Sequence, residues 1–284
     1  MSDTAPVDDW GTDYDILDPE YVRDPAPVWD ELREGCPVAH TERWGGSFLP
    51  TRYDDVQTLV KLVPELSNSD PLVTTPPPEV IEENQANPDD GFVSTLLAGT
   101  DDRGEPIDPM RVVGMLNLLL IAGIDTTWSS IGSALWHFGT HPADRERMAA
   151  EPELWPTAIE ELLRFYAPVT MGRLATEDVE IRGVTIPQGS KVIMNFPGAN
   201  RDPEMFERPD EVILDRPHNR HVAFGAGIHR CAGANLARLE MDIALRTWFD
   251  RIPDFEVSAP DEVTWAGGQI RGPRYVPIRF PSAS

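Results

Sequence analysis

The sequence predicts a mainly helical protein with small β-sheets, an α+β class in which helices dominate. Three observations carry this expectation. Apolar residues recur at helical spacing over several segments. Between these lie runs of three to five residues bounded by Gly, Pro and Asn, as short strands require. After Asp108 an apolar pattern continues for about thirty residues, far beyond the length of a strand.

The elements follow in order. Residues 25–35 read as a short helix with Val28, Trp29 and Leu32 on one side. Residues 38–43 and 47–51 read as strands joined across Trp44-Gly45-Gly46, a hairpin signal. Residues 53–62 return to helical spacing, with Val56, Leu59, Val60 and Val63 apolar. Pro71, Pro76, Pro77 and Pro78 forbid a regular helix over 70–79. Short helices are expected at 79–85 and 92–97, separated by a loop at Asn87-Pro88-Asp89-Asp90-Gly91.

Asp108 is a suitable N-cap, with Pro109 at the first helical position. The helix it opens should run to about Gly139, on the order of 45 Å. Its first half is apolar nearly all round and is expected to run through the centre of the molecule. The most apolar run, 112–124, is broken by Asn117 and suits a buried core helix better than a membrane span. Helices are expected at 142–150 and 156–166. Short strands follow at 179–181, 184–186 and 191–195, divided at Arg182-Gly183 and Pro187-Gln188-Gly189. Residues 200–221 form a long proline-rich coil that needs a functional or packing reason. The helix at 232–249 carries two apolar stripes and should pack on two sides. One is Ala237, Met241, Ala244, Leu245 and Trp248; the other is Leu236, Leu239 and Ile243. Residues 255–280 read as short strands and turns.

Composition narrows the class of function. The 284 residues are 40% hydrophobic and 25% charged, as in ordinary globular proteins. A net charge of −24 argues against nucleic acid or an anionic membrane as the main partner. Asp3, Asp8, Asp9, Asp13, Asp15, Asp18 and Glu20 suggest a solvated, partly disordered leader. The first ten residues are acidic and lack the apolar stretch of a secretory signal, so a cytoplasmic location is expected. Cys36 and Cys231 are far apart, and a disulfide is not expected in a reducing compartment. Neither paired-cysteine zinc spacing nor a Cys-x-x-Cys-His motif is present.

The segment Phe224-Gly225-Ala226-Gly227-Ile228-His229-Arg230-Cys231-Ala232-Gly233 lies between a coil and a helix. Its glycines permit a tight turn and close backbone approach. The helix N-terminus suits an anionic sulfur, and a soft thiolate suits a haem iron. A lone cysteine is more often a small buried hydrophobe. Here the surroundings decide. Phe224, Gly227, Cys231 and Gly233 reproduce the pattern Phe-x-x-Gly-x-x-x-Cys-x-Gly, and the segment resembles the haem-binding loop of cytochromes P450. The resemblance implies Cys231 as axial ligand of haem b (iron protoporphyrin IX), with Phe224, Gly225, Gly227, His229 and Gly233 around the cofactor.

Ala122-Gly123-Ile124-Asp125-Thr126-Thr127 interrupts the long apolar helix. A carboxylate there is costly without a partner or a water channel. Thr126 can bond back to the carbonyl of Ala122, and Gly123 leaves room for a ligand. The string is similar to the family's oxygen-activating motif. That likeness implies Asp125 and Thr126 as a proton relay, with Ala122 and Gly123 beside the cofactor.

Glu161 and Arg164 share a helix face, which by itself indicates only an ion pair. In order and spacing the pair resembles the family's structural Glu-x-x-Arg, bracing the coil after Asn200. Glu211 stands where many relatives have an arginine completing a triad, so the bracing is expected to differ. Arg173 and His229 fall where the family binds the haem propionates.

The resemblance covers 15–78 and 80–280, within one P450-like domain made of an N-terminal block (15–78) and a second block (79–284). The fold is expected to be a P450 fold truncated internally, lacking on the order of a hundred residues at the proline-rich seam. Apolar helix faces would then be exposed. The implied activity is a monooxygenase acting on a small apolar organic substrate, with electrons from NAD(P)H through a ferredoxin or reductase. The alternative is a degenerate haem-binding chain without turnover.

Overall fold

The computed structural model describes residues 6–62, 66, 67 and 78–281. Asp3, Val63 and the prolines at 71, 76 and 77 lie outside the described residues. The chain divides into two compact units, residues 1–70 with 126–284, and residues 71–125.

The larger unit opens with structure where a disordered leader was expected. Helix α1 (Trp10–Asp13) is capped by Asp9, whose Oδ1 accepts the Gly11 N–H at 2.8 Å. Helix α2 (Pro19–Arg23) is capped by Asp18 in the same way, with Pro19 at its start. Asp15 is 1% exposed and accepts the Leu17 N–H, while Arg43 donates to Asp13 at 2.7 Å and lies 3.5 Å from Asp15. These carboxylates are therefore caps and ion-pair partners. The acidic count concealed this because Tyr14 and Tyr21, both buried, anchor the segment to helix α3 (Ala26–Gly35). Trp29 donates its indole N–H to the Tyr21 hydroxyl at 3.0 Å.

Strands β1 (Val38–Thr41) and β2 (Ser47–Pro50) pair antiparallel as the Gly-Gly signal implied. Gly45 and Gly46 both take positive φ, 83° and 82°. Helix α4 (Tyr53–Leu59) and the short β3 (Leu66–Ser67) follow.

In the smaller unit, α5 (Pro78–Ala86), α6 (Phe92–Leu97) and the first half of α7 (Pro109–Thr140) share a small core of Ile81, Val112 and Val113. The expected cap is present: Asp108 Oδ1 accepts the Met110 N–H at 2.8 Å. The expected burial is not. Leu118, Leu119, Leu120, Ile121 and Ile124 are 44–61% exposed. A helix apolar all round needs partners on every side, and the described residues supply them on one side only. By length and composition α7 could cross a membrane, and 22% of its most apolar stretch is buried.

The rest of the larger unit continues through α8 (Pro142–Ala150) and α9 (Trp155–Phe165) to β4 (Met171–Ala175), a strand not foreseen. The hairpin β5 (Val179–Ile181) and β6 (Val184–Ile186) turns at Arg182 and Gly183, both with positive φ. Strand β7 (Lys191–Met194) and helix α10 (Phe196–Ala199) lead into the coil. Helix α11 (Ala234–Arg251) precedes the pairs β8 (Glu256–Val257) with β11 (Ile278–Arg279) and β9 (Thr264–Ala266) with β10 (Gly272–Tyr275). The main sheet has the order β1-β2-β7-β4-β3 and joins residues far apart in sequence, β2 to β7 in parallel.

The largest core gathers Ala134 and Phe138 of α7, Met148 of α8, Trp155, Ile159 and Leu162 of α9, and Met241, Leu245 and Phe249 of α11. Each fully buried large side chain contributes roughly 1.5–3 kcal/mol. Among the described residues only one of the two α11 stripes is packed. Met241 and Leu245 are buried, whereas Leu236, Leu239 and Ile243 are 54–58% exposed. The two-sided packing expected of α11 is thus corrected to one side.

Candidate functional site

The cysteine loop is shaped by its backbone. Gly225 and Gly227 both have φ of 67°, in the left-handed region that favours glycine. A side chain on Gly227 would also meet the Val60 carbonyl at 3.3 Å. The chain makes a short 3-10 turn at Gly227–His229, and Cys231 N–H then donates back to Phe224 C=O at 2.9 Å. Gly233 is the N-cap of α11, so Cys231 stands two residues before the cap, and α11 starts later than the expected 232. Residues 227–233 are all exposed, Cys231 among them. A buried structural cysteine is excluded by that exposure. The Cys231 sulfur lies 3.9 Å from where a Gly233 side chain would begin.

The coil from 200 to 221 has its packing reason in Glu161 and Arg164, both 0% exposed. Arg164 forks onto the Glu161 carboxylate at 2.8 and 2.9 Å. Its remaining donors go to the carbonyls of Asn200, Pro209 and Glu211. Glu161 also accepts from Ile213 N–H, from Arg216 Nε at 2.9 Å and from Asn219. Burial alone would raise the Glu161 carboxyl, but the Arg164 and Arg216 hydrogen bonds outweigh it and hold it below the usual range. The expectation from Glu211 is therefore corrected. Arg216 completes the triad, and Glu211 serves through its backbone carbonyl, which accepts from both arginines. Sequence reasoning missed Arg216. A signal was available, because a buried carboxylate offers about four acceptor sites and one arginine cannot fill them.

Arg173 lies on β4, 6% exposed. Its guanidinium donates to the neighbouring Gly172 carbonyl at 2.8 Å and has no acidic partner among the described residues. Burial holds its pKa below the usual arginine value. A buried cation without an anion is costly, and an anionic group such as a propionate is what it would need. His229 is exposed in the thiol loop. These features fit a haem: an exposed cysteine, an open glycine loop and a buried guanidinium without an acidic partner among the described residues.

Ala122 and Gly123 are exposed on α7, and Asp125 and Thr126 are half-buried one turn on. A side chain built on Gly123 would meet nothing within 4 Å. Thr126 C=O accepts the Ser130 hydroxyl at 2.9 Å. Asp125 ends the smaller unit and Thr126 begins the C-terminal segment of the larger one, which holds Cys231. The acid–alcohol pair is thus adjacent on one helix, while the thiol loop, Glu161, Arg164 and Arg173 belong to the larger unit.

Comparison with known proteins gives this arrangement its class. The family model described as cytochrome P450 matches residues 78–264. The chain belongs to the cytochrome P450 family. It is 37% identical over 204 residues to polyketide biosynthesis cytochrome P450 PksS of Bacillus subtilis, covering 70% of this chain and 50% of that protein. It is 40% identical over 204 residues to pentalenic acid synthase of Streptomyces avermitilis, covering 71% and 50%. Vitamin D(3) 25-hydroxylase of Pseudonocardia autotrophica is 38% identical over 204 residues, covering 70% and 51%. The chain spans about half the length of the curated relatives it matches. Among solved structures, cytochrome P450 CYP109Q5 from Chondromyces apiculatus superposes with a TM-score of 0.87 at 26% identity, covering 97% of this chain and 100% of that one. PksS superposes with a TM-score of 0.82 at 24% identity, covering 94% and 99%. The fold is the P450 fold, mainly helical with small sheets. The family is one of haem monooxygenases, and membership implies a haem cofactor.

Proposed function

We propose that this chain is a haem-thiolate monooxygenase, a single P450-like domain in which the Cys231 thiolate would hold the haem iron. The observation that carries the reading is the exposed Cys231, set before a helix by two left-handed glycines. When bound, the haem supplies dioxygen activation and insertion of one oxygen atom into a small apolar organic molecule. The protein's residues do the rest. Cys231 donates electron density through its thiolate. Arg173 and His229 would hold the haem propionates by charge and hydrogen bonding. Phe224, Gly225, Gly227 and Gly233 would shape the loop, and Ala122 and Gly123, without bulky side chains, would leave room for a ligand. Thr126 holds a proton at its hydroxyl and Asp125 resupplies it from solvent. Glu161 and Arg164 brace the coil. Electrons come from NAD(P)H through a ferredoxin or reductase.

The test is a visible spectrum of the reduced, carbon-monoxide-treated protein. A strongly red-shifted Soret band is expected, and Cys231→Ala should abolish it. No haem uptake by the unaltered chain would overturn the proposal.

A second reading, haem binding without turnover, is favoured by a specific observation. Ile124 and Trp128, flanking the acid–alcohol pair, are 61% and 55% exposed. Proton delivery stays coupled to the chemistry where bulk water is kept from the reacting centre. The superpositions also span nearly the whole of the solved chains, which supports an internal shortfall in length. Surrogate redox partners separate the two readings. Product-coupled NAD(P)H consumption, uncoupled by Thr126→Ala, supports turnover; a haem-loaded chain that forms no product supports the second reading.

A further inference from the structure

Glu160 precedes the bracing Glu161 on α9, and the two carboxylates serve different parts of the molecule. Successive residues on a helix point about 100° apart. Glu161 faces the coil, and Glu160 faces the thiol loop and α11. Glu160 takes a two-bond fork from Arg238 of α11, through Nε and through Nη2 at 2.8 Å. It also accepts from His221 Nε2 at 3.0 Å. His221 Nδ1 accepts the Ala223 N–H at 3.2 Å, which assigns the donating proton to Nε2. His221 is 3% exposed at its side chain, so this end of the network is shielded from water.

The Arg238 guanidinium lies over the Phe224 ring, 4.5 Å from its centroid. The His221 ring tilts against the same ring at 6.0 Å. Phe224 is the residue whose carbonyl holds the Cys231 N–H. One carboxylate therefore reaches both approaches to the sulfur: the chain entering the loop at His221, and the helix leaving it at Arg238. A fork onto a carboxylate fixes a guanidinium plane, and a fixed plane fixes the ring it covers.

We propose that Glu160 is a positioning residue for the thiolate, acting through Arg238 and His221 on Phe224 and so on the backbone that carries Cys231. This rests on the assignment of Cys231 as the haem ligand, and the test keeps the two apart.

The first measurement is amide hydrogen exchange on the full chain, which needs no haem. Glu160→Gln should speed exchange of the Cys231 N–H by about tenfold, while amides of the α7, α9 and α11 core hold their wild-type rates. Arg238→Lys should do the same, because it keeps the charge and loses the fork. Glu160→Asp, which keeps a carboxylate, should recover part of the protection. Unchanged exchange at Cys231, or an equal rise throughout the chain, overturns the proposal. The second measurement is the reduced, carbon-monoxide spectrum of haem-loaded protein. Glu160→Gln should shift part of the red-shifted thiolate band to the shorter-wavelength form of a lost thiolate. A variant spectrum identical to wild type also overturns the proposal. If the unaltered chain shows no thiolate band, the ligand assignment of Cys231 fails, and the exchange result alone decides the clamp.

Discussion

The two halves of α7 contrast with each other. The first half is the more apolar, yet Leu118, Leu119 and Ile124 are more than half exposed. The second half carries Ser129, Ser133 and His137, and all three are buried. His137 manages this because both ring nitrogens are bonded, to Tyr166 Oη at 2.8 Å and to Asp144 Oδ2 at 2.9 Å. Beside it Ala134 and Phe138 are 0% exposed, packed against α9 and α11. Hydropathy ranks the halves one way and burial ranks them the other. Burial follows from which neighbours the chain supplies, and a polar group is tolerated inside once its bonds are made.

The sharpest test of the contrast is in the buried half and its surroundings. Phe138→Ala should cost about 3–5 kcal/mol by urea unfolding, as expected of a truncated core aromatic. Breaking the buried brace should be comparable. Arg164→Met removes the two-bond fork on buried Glu161, leaving Arg216 as its charged partner, and takes the Arg164 donors from the Asn200 and Pro209 carbonyls; it should cost about 3–5 kcal/mol. A loss under 1 kcal/mol would mean the coil is held by other contacts.

A pH series gives the next largest effect. Glu160 is held at about 2 and Glu161 below its usual range. Burial pushes both up, and the arginine bonds more than offset it. A depressed carboxyl stabilises the fold above its ordinary value of 4.5 and loses that stabilisation as pH falls toward the folded value. For the partly exposed Glu160 the loss between those limits should be roughly 1–3 kcal/mol after screening. Unfolding midpoints measured from pH 6 downward should therefore fall less in Glu160→Gln than in wild type.

The smallest effect is expected in the exposed half of α7. Leu119 is 55% exposed, and Leu119→Ala should change stability by no more than about 0.5 kcal/mol. If it costs as much as Phe138→Ala, that face is covered in solution and the contrast fails. Dye binding to exposed apolar surface should fall when Leu118 and Leu119 are replaced by lysine.

Local chemistry was legible from residue order. The Asp108 cap, the Gly45-Gly46 hairpin, the Arg182-Gly183 turn and the thiol loop all depend on residues within a few positions of each other. Glu161 with Arg164 was legible for the same reason. The third arm of that triad was not, because Arg216 lies 52 residues beyond Arg164 in a coil without periodicity. Nor was the ordering of the acidic N-terminus, which depends on Arg43 meeting Asp13 and Asp15 after the chain has turned back.

The sequence alone determined the helical class, the P450 resemblance, the cysteine that stands before α11 and the glycines that shape its loop. These follow from spacing and backbone freedom, which are properties of short segments. The tertiary structure decided which apolar faces are covered and which carboxylates are paired. It made Glu161 a brace for the coil and joined its neighbour Glu160 to the cysteine loop. Those outcomes depend on partners brought together across tens to hundreds of residues, and no local pattern encodes such a meeting.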